Sequence, residues 1–204
     1  MAMHPWEEGH WLPGVLSRRQ IKTLCDEGYL FDFDIPIENE DNSKEESSVD
    51  LTLTGDCYKM KKGSLKPHGG VSYKKILNNE NLSEKIDPVD KYFHLETKSC
   101  YVFKLKERLT CKLKNIYGQA TAKSSIGRLD VIARLIVDGE YQYENFDFNN
   151  LGDSNGEMYL EIIPTSFNIQ VKENDQLSQL RLFYGRIEDS EIHDNNFIKS
   201  ILLG

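Results

Sequence analysis

Residues Ala122 to Asp138 read AKSSIGRLDVIARLIVD. The second half, DVIARLIV, is a short run of β-branched and apolar residues, which reads as a β-strand. The first half is polar and places two serines between a lysine and an arginine. A chain built from segments like this one is a chain of strands, and the segments on either side decide whether that holds.

Outward from this stretch the strand signals recur. SVDLTL, YVFKL and LTCKL alternate, while MYLEII, FNIQV and LSQLRLFY are rich in β-branched or aromatic residues. Gly and Asn/Asp clusters (TGD, PHGG, LNNENL, NNLGDSNG, KENDQ) punctuate them. There is no βαβ rhythm and no internal repeat. Strands spaced by roughly 8–12 residues favour a sandwich or barrel over a parallel sheet. One helix is expected near the start, in LSRRQIKTLCDEG, with Ser17 and Gln20 forming a capping box and Gly28 ending it. The acidic run ENEDNSKEES, Glu38 to Ser47, reads as a solvated loop. The expected organisation is a tail over 1–13, a β domain over 14–186 and a C-terminal helix and apolar tail over 187–204.

The composition sets limits. The net charge of -8 argues against a broad nucleic-acid-binding face, so no polymeric nucleic acid is expected as a partner. It leaves room for a small polyanion in a local cationic pocket, and Lys123, Arg128 and Arg134 cluster in otherwise acidic surroundings. No run of about 18 apolar residues is present, so no membrane span is expected. The N-terminus is polar and acidic, unlike a secretory signal. Cys25, Cys57, Cys100 and Cys111 form no CxxC pair. They are expected to be reduced thiols of a cytoplasmic protein, three of them as small strand-borne core residues.

Lys123 and Arg128 flank two hydroxyls and several backbone N–H groups, and Gly127 permits a tight turn or a close ligand approach. Charge-assisted bonds from long side chains, with neutral donors close in, suit a phosphate chain. The same residues also suit a polar turn leading into an edge strand. In MYLEII, Glu161 shares its strand face with Tyr159 and Ile163. A partly apolar setting there would raise its pKa and fit it for general base or acid work, whereas a wet sheet face would leave it an ordinary surface glutamate. Asp138 is either a turn residue or a ligand for a sugar hydroxyl or water. Gln179 is an amide able to meet a base edge or a phosphate oxygen.

In order and spacing, GVLSRRQI, SSVDLTL, AKSSIGRLDVIARLIVD, MYLEIIPTSFNIQV and LSQLRLFYGR resemble the dCTP deaminase/dUTPase superfamily. The resemblance is closest to the first half of the long, two-module dCTP deaminases. It implies a mainly β, distorted jelly-roll barrel or sandwich of the dUTPase-like type, with a short N-terminal helix. It also implies a homotrimer, or a pseudo-trimer completed by a second module, with active sites between subunits or modules. Position by position, Glu161 matches the catalytic glutamate, Ser124 the serine that helps place the attacking water, and Arg128 the arginine that stabilises developing charge. Ser125, Gln179 and Lys123 match positions near the triphosphate, and Asp138 the position that holds the deoxyribose. The implied substrate is dCTP, the product dUTP, and Mg²⁺ rides on the triphosphate without a protein ligand.

Three functions follow for comparison. The first is hydrolytic deamination of dCTP to dUTP and ammonia, with glutamate as base and acid. The second is a dUTPase, or a bifunctional enzyme giving dUMP, with Asp138 activating water. The third is a non-catalytic nucleotide-binding or assembly module. A zinc deaminase needs H-x-E followed by P-C-x-x-C. HLE at His94–Glu96 is the one H-x-E and no P-C-x-x-C follows, so zinc is not expected. Departures from the family are Thr52, where long members show a basic residue, and a C-terminal segment unlike the Gly/Lys/Tyr-rich lid of short members.

Overall fold

The computed structural model describes residues 13–35, 47–69, 71–110, 115–148, 150–151 and 156–185. The acidic run beginning at Glu38, most of LTCKL and the C-terminal segment expected to be helical lie outside them. The elements are β1 (Gly14–Val15), α1 (Arg18–Asp26), β2 (Leu30–Phe31), β3 (Ser48–Leu51), β4 (Leu53–Met60), α2 (Tyr73–Leu77), β5 (Ser83–Ile86) and β6 (Tyr92–Leu95). They continue with β7 (Tyr101–Leu109), β8 (Ile116–Ala122), α3 (Ser124–Arg128), β9 (Val131–Val137), β10 (Asn145–Asp147), β11 (Glu157–Pro164), β12 (Ile169–Lys172) and β13 (Ser178–Tyr184).

Helix α1 begins and ends as its sequence dictates. The Ser17 side chain accepts from the Gln20 N–H, and the Gln20 side chain accepts from the Ser17 N–H. At the other end Gly28 takes φ +75°. The Gly28 N–H then bonds to Cys25 and the Tyr29 N–H to Leu24, closing a Schellman motif.

All strand pairs are antiparallel. One sheet runs β1-β13-β8-β10, with β3 also on β13. The second runs β5-β4-β7-β11-β9, with β2 also on β7, and a small pair joins β12 to β6. The main core gathers residues of both larger sheets, among them Leu51, Phe103, Leu135, Leu160, Ile162, Leu180 and Leu182. This is the mainly β, sandwich-like architecture expected from the alternating segments.

The chain passes from one sheet to the other at Thr52, between β3 and β4. Glu107, buried in β7, accepts the Thr52 N–H at 2.9 and 3.1 Å on its two oxygens and so holds that corner. The sequence reading treats SVDLTL as one strand, and the structure divides it here.

A second, smaller core gathers Met60, Tyr73, Leu77, Cys100, Val102, Ile136 and Tyr159. It takes in buried residues of α2 and alternate side chains of β7, β9 and β11. Strand β11 is therefore buried on both faces: Met158, Leu160 and Ile162 belong to the main core, and Tyr159, with Ile163 packed nearby, to the second. The three described cysteines are free; Cys57 lies in β4, Cys100 just before β7 and Cys25 in α1. Among the described helices none is long and apolar enough to cross a membrane.

Candidate active site

Glu161 shares its alternation with Tyr159 and Ile163, so strand geometry points it toward the second core. It is 0% exposed, which settles the choice between a wet and a dry setting. The register places Arg134 of β9 on one side and Val102 of β7 on the other. The carboxylate is surrounded by donors. Arg134 Nε donates to Oε1 at 2.9 Å, and Arg134 Nη2 donates to the same oxygen. Ser64 Oγ donates to Oε2 at 2.7 Å and Tyr143 Oη at 3.2 Å.

The remaining contacts fix those donors in turn. Arg134 Nη2 also reaches Ser64 Oγ at 2.8 Å, and its guanidinium lies 4.0 Å from the centre of the Tyr143 ring. Burial by itself would lower the Arg134 pKa, but the Glu161 carboxylate outweighs it and the net shift is upward. Burial, with Glu161 beside it, holds the Cys100 thiol well above its ordinary range. Burial also pushes the Tyr143 hydroxyl up to about 12.

Asp138 is 4% exposed and sits just past β9. Its Oδ1 accepts the Tyr73 N–H at 2.7 Å and its Oδ2 accepts the Ser72 hydroxyl at 3.0 Å. It therefore caps the start of α2, a task the Ser72 side chain leaves undone. Burial raises its pKa, opposed by those two bonds.

Lys123, Ser124, Ser125 and Arg128 are together in and around α3, a single helical turn that leads into the edge strand β9. Lys123 is the N-cap residue and its Nζ lies 2.6 Å from Asp50. Its N–H bonds to the carbonyl of Leu177, which brings it beside the strand bearing Gln179. Gln179 stands between Asp50 and Thr121 in register and accepts from Ser48 at 3.4 Å. Ser124, Ser125 and Arg128 are exposed and make no side-chain hydrogen bond or ion pair among the described residues. A Cβ on Gly127 would meet nothing within 4 Å, so the turn itself does not require glycine there.

The structure thus brings Lys123 and Gln179 together beside α3, and none of these side chains bonds to Glu161, which lies on the strand paired with β9. Arg128 does not bond to Glu161 within this chain. His94 lies in β6 against Gln170, at 3.1 Å, and Glu96 pairs with Lys59. Sequence reasoning gave no role to Ser64, Tyr143 or Cys100 around Glu161, and it noted Arg134 only as a cation. Ser64 and Tyr143 carry no local signal, because they reach Glu161 from 97 and 18 residues away. Arg134 becomes legible only through the β9–β11 register.

The sequence matches, over residues 12–186, the family described as the 2'-deoxycytidine 5'-triphosphate deaminase (DCD) N-terminal domain. Among solved structures, the 2'-deoxycytidine 5'-triphosphate deaminase from Agrobacterium tumefaciens is 28% identical with a TM-score of 0.70. That match covers 85% of this chain and 49% of the other, so the chain spans about half the length of that enzyme. Native EIAV dUTPase is 16% identical, over 56% of this chain and 83% of its own, with a TM-score of 0.35. A mutant dUTPase from phage phi11 of S. aureus is 13% identical, over 67% and 94%, with a TM-score of 0.34. Curated proteins give no match.

Proposed function

The chain belongs to the family of 2'-deoxycytidine 5'-triphosphate deaminase N-terminal domains, and we propose that it takes part in the hydrolytic deamination of dCTP to dUTP and ammonia. The observation that carries this reading is the complete burial of Glu161 on a strand face, within a ring of polar side chains.

The reaction adds water to C4 of cytosine, with the water's proton taken by a base and a proton delivered to N3. The tetrahedral adduct then expels its amine as ammonia while the C4 oxygen becomes a carbonyl. One carboxylate serves both steps. It takes a proton from water and gives it to N3 as the C4–O bond forms. It then takes the proton of the C4 hydroxyl and gives it to the amine as the C4–N bond breaks. Such transfer contributes typically about 10²–10⁴ in rate. A dry site strengthens every charge interaction around the reacting carbon. Glu161 fills this role, and Ser124 and Arg128 supply the water-placing hydroxyl and the charge-stabilising guanidinium. The substrate is the Mg²⁺ complex of dCTP, with Lys123, Ser125 and Gln179 directed at its phosphates.

Within one copy Arg128 and Ser124 do not bond to Glu161. We assign their meeting to an interface with a second module or a second copy, as in a homotrimer or pseudo-trimer. The chain's half-length coverage of the Agrobacterium enzyme supports a shared site. The dUTPase alternative requires Asp138 to hold a water; its two oxygens accept from the Ser72 hydroxyl and the Tyr73 N–H at the start of α2. The match to the deaminase N-terminal family is what favours the deaminase reading.

The test is release of ammonia and uracil nucleotide from Mg²⁺–dCTP by wild type beside Glu161→Gln. Loss of at least about 10²-fold in the variant is expected. A variant that turns over as fast as wild type refutes the assignment of Glu161. A wild type that binds dCTP without turnover places the missing groups on a second module, and one that binds no nucleotide favours the assembly-module alternative.

A further inference from the structure

The Glu161 site is closed by a side chain of the same chain. Arg134 presents two N–H groups of one planar N–C–N fork to the carboxylate, lies over Tyr143, and bonds to the Ser64 hydroxyl that also serves Glu161. Its side chain is 31% exposed while that of Glu161 is 0% exposed, so the guanidinium stands between the carboxylate and solvent. A water approaching Glu161 finds Oε1 taken by two donors and Oε2 by two more.

The chemistry of the fork identifies what it replaces. A cytosine that is gaining a proton at N3 presents an N3–C4–N4 amidine, which is also planar, also cationic in character and also a two-donor edge. A guanidinium on a carboxylate and a protonated amidine on a carboxylate are the same recognition problem. We infer that Arg134 is a positioning residue: it occupies the place of the cytosine amidine in the empty site, keeps the buried carboxylate paired, and leaves when the base arrives. This rests on the reading of Glu161 as the deaminating base.

Two consequences follow. Nucleotide binding carries a displacement cost, because only molecules with Arg134 withdrawn are competent, and the apparent affinity falls by that fraction. The cost is also selective. A cytosine that shares a proton at N3 with Glu161 restores a two-donor amidine edge to it. A uracil keeps one donor, its N3–H, beside a C4 carbonyl whose lone pairs face the carboxylate unfavourably. The Arg134 side chain is already partly exposed, so it has solvent into which it can withdraw.

The experiment measures dissociation constants of Mg²⁺–dCTP and Mg²⁺–dUTP by calorimetry for wild type, Arg134→Gln and Arg134→Lys, each confirmed folded by circular dichroism. Glu161→Gln is made in the wild-type and Arg134→Gln backgrounds. Removing the fork is expected to tighten dCTP by about tenfold or more, corresponding to a competent fraction of one-tenth or less. The gain is expected to be larger for dCTP than for dUTP. Arg134→Lys keeps the charge without the planar fork and falls between the two, which keeps the test open if Arg134→Gln does not fold. A dCTP affinity that stays the same or weakens in the folded variants overturns the inference, as does an equal gain for both nucleotides. Separately, dCTP binding indifferent to Glu161→Gln in both backgrounds overturns the role of Glu161 itself.

Discussion

Replacing Asp138 with alanine separates a structural carboxylate from a sugar ligand. Asp138 supplies two acceptors to the start of α2: Oδ1 for the Tyr73 N–H at 2.7 Å and Oδ2 for the Ser72 hydroxyl at 3.0 Å. Tyr73 is 1% exposed, so its orphaned N–H has little access to water. An unsatisfied buried donor costs about 1–3 kcal/mol, and the lost Ser72 bond adds roughly 0.5–1.5 kcal/mol. Part of that is returned, because burial already disfavours the ionised Asp138.

The net loss is about 2 kcal/mol, and for a chain of this size it lowers the melting temperature by roughly 4–8 °C. Asp138→Asn keeps an acceptor for the Tyr73 N–H and offers its amide to Ser72, so it is expected to lose about 1 kcal/mol or less. The assay is calorimetric or circular-dichroism melting at neutral pH, with dCTP affinity measured in parallel. An Asp138→Ala protein that melts within about 1 °C of wild type refutes the capping argument. If that protein has also lost affinity for dCTP, the carboxylate serves the sugar and not α2.

Glu107 gives a pH signature. Burial raises its pKa despite the bonds from Thr52, so the folded state holds its proton to higher pH than the unfolded chain does. Its contribution to stability then declines as pH rises from the ordinary carboxylate range to that raised value. Glu107→Gln is expected to flatten this part of the stability profile in urea titrations at stepped pH, and an unchanged slope counts against the assignment. Arg128→Ala is expected to leave stability within about 0.5 kcal/mol of wild type, because the side chain is exposed and has no partner among the described residues. Its dCTP turnover should nonetheless collapse in the assembled enzyme, and a stable variant with full turnover would remove Arg128 from the site.

The sequence was most informative where local physics decides the outcome. Ser17, Gln20 and Gly28 delimit α1 because capping uses neighbours three residues apart and a glycine with positive φ. The segments DVIARLIV, MYLEII and LSQLRLFY became β9, β11 and β13 because their composition suits a pleated, packed surface. Alternation along β11 puts Glu161 on one face with Tyr159 and Ile163. What local reading could not supply was register and tertiary burial. Both faces of β11 are covered, and α2, which helps to build the second core, has only Tyr73 and Leu77 as buried residues over five positions. The Thr52 corner is set by Glu107, a residue 55 positions away. Asp138 looked like a turn residue or a ligand because its partner helix was invisible in sequence.

The candidate site residues divide by solvation, and that division constrains how they can act together. Glu161 is dry and fully engaged, while Ser124, Ser125 and Arg128 stand exposed with no side-chain partner among the described residues. Lys123 is tied inward to Asp50, which orients α3 without consuming its outward groups. Leu129 and Ile132 beside that turn are 47% and 42% exposed, an apolar flank next to an unpaired guanidinium. A carboxylate that is to act on a water at a reacting carbon needs a pocket that excludes bulk solvent, and a guanidinium needs a carboxylate or phosphate to face. In a chain with a net charge of -8, an arginine with no acidic partner among the described residues is suited to the nucleotide phosphate or partner carboxylate that the proposed function gives it. The burial of Glu161 and the exposure of Arg128 are therefore both what the proposed site, divided between two protein surfaces, requires.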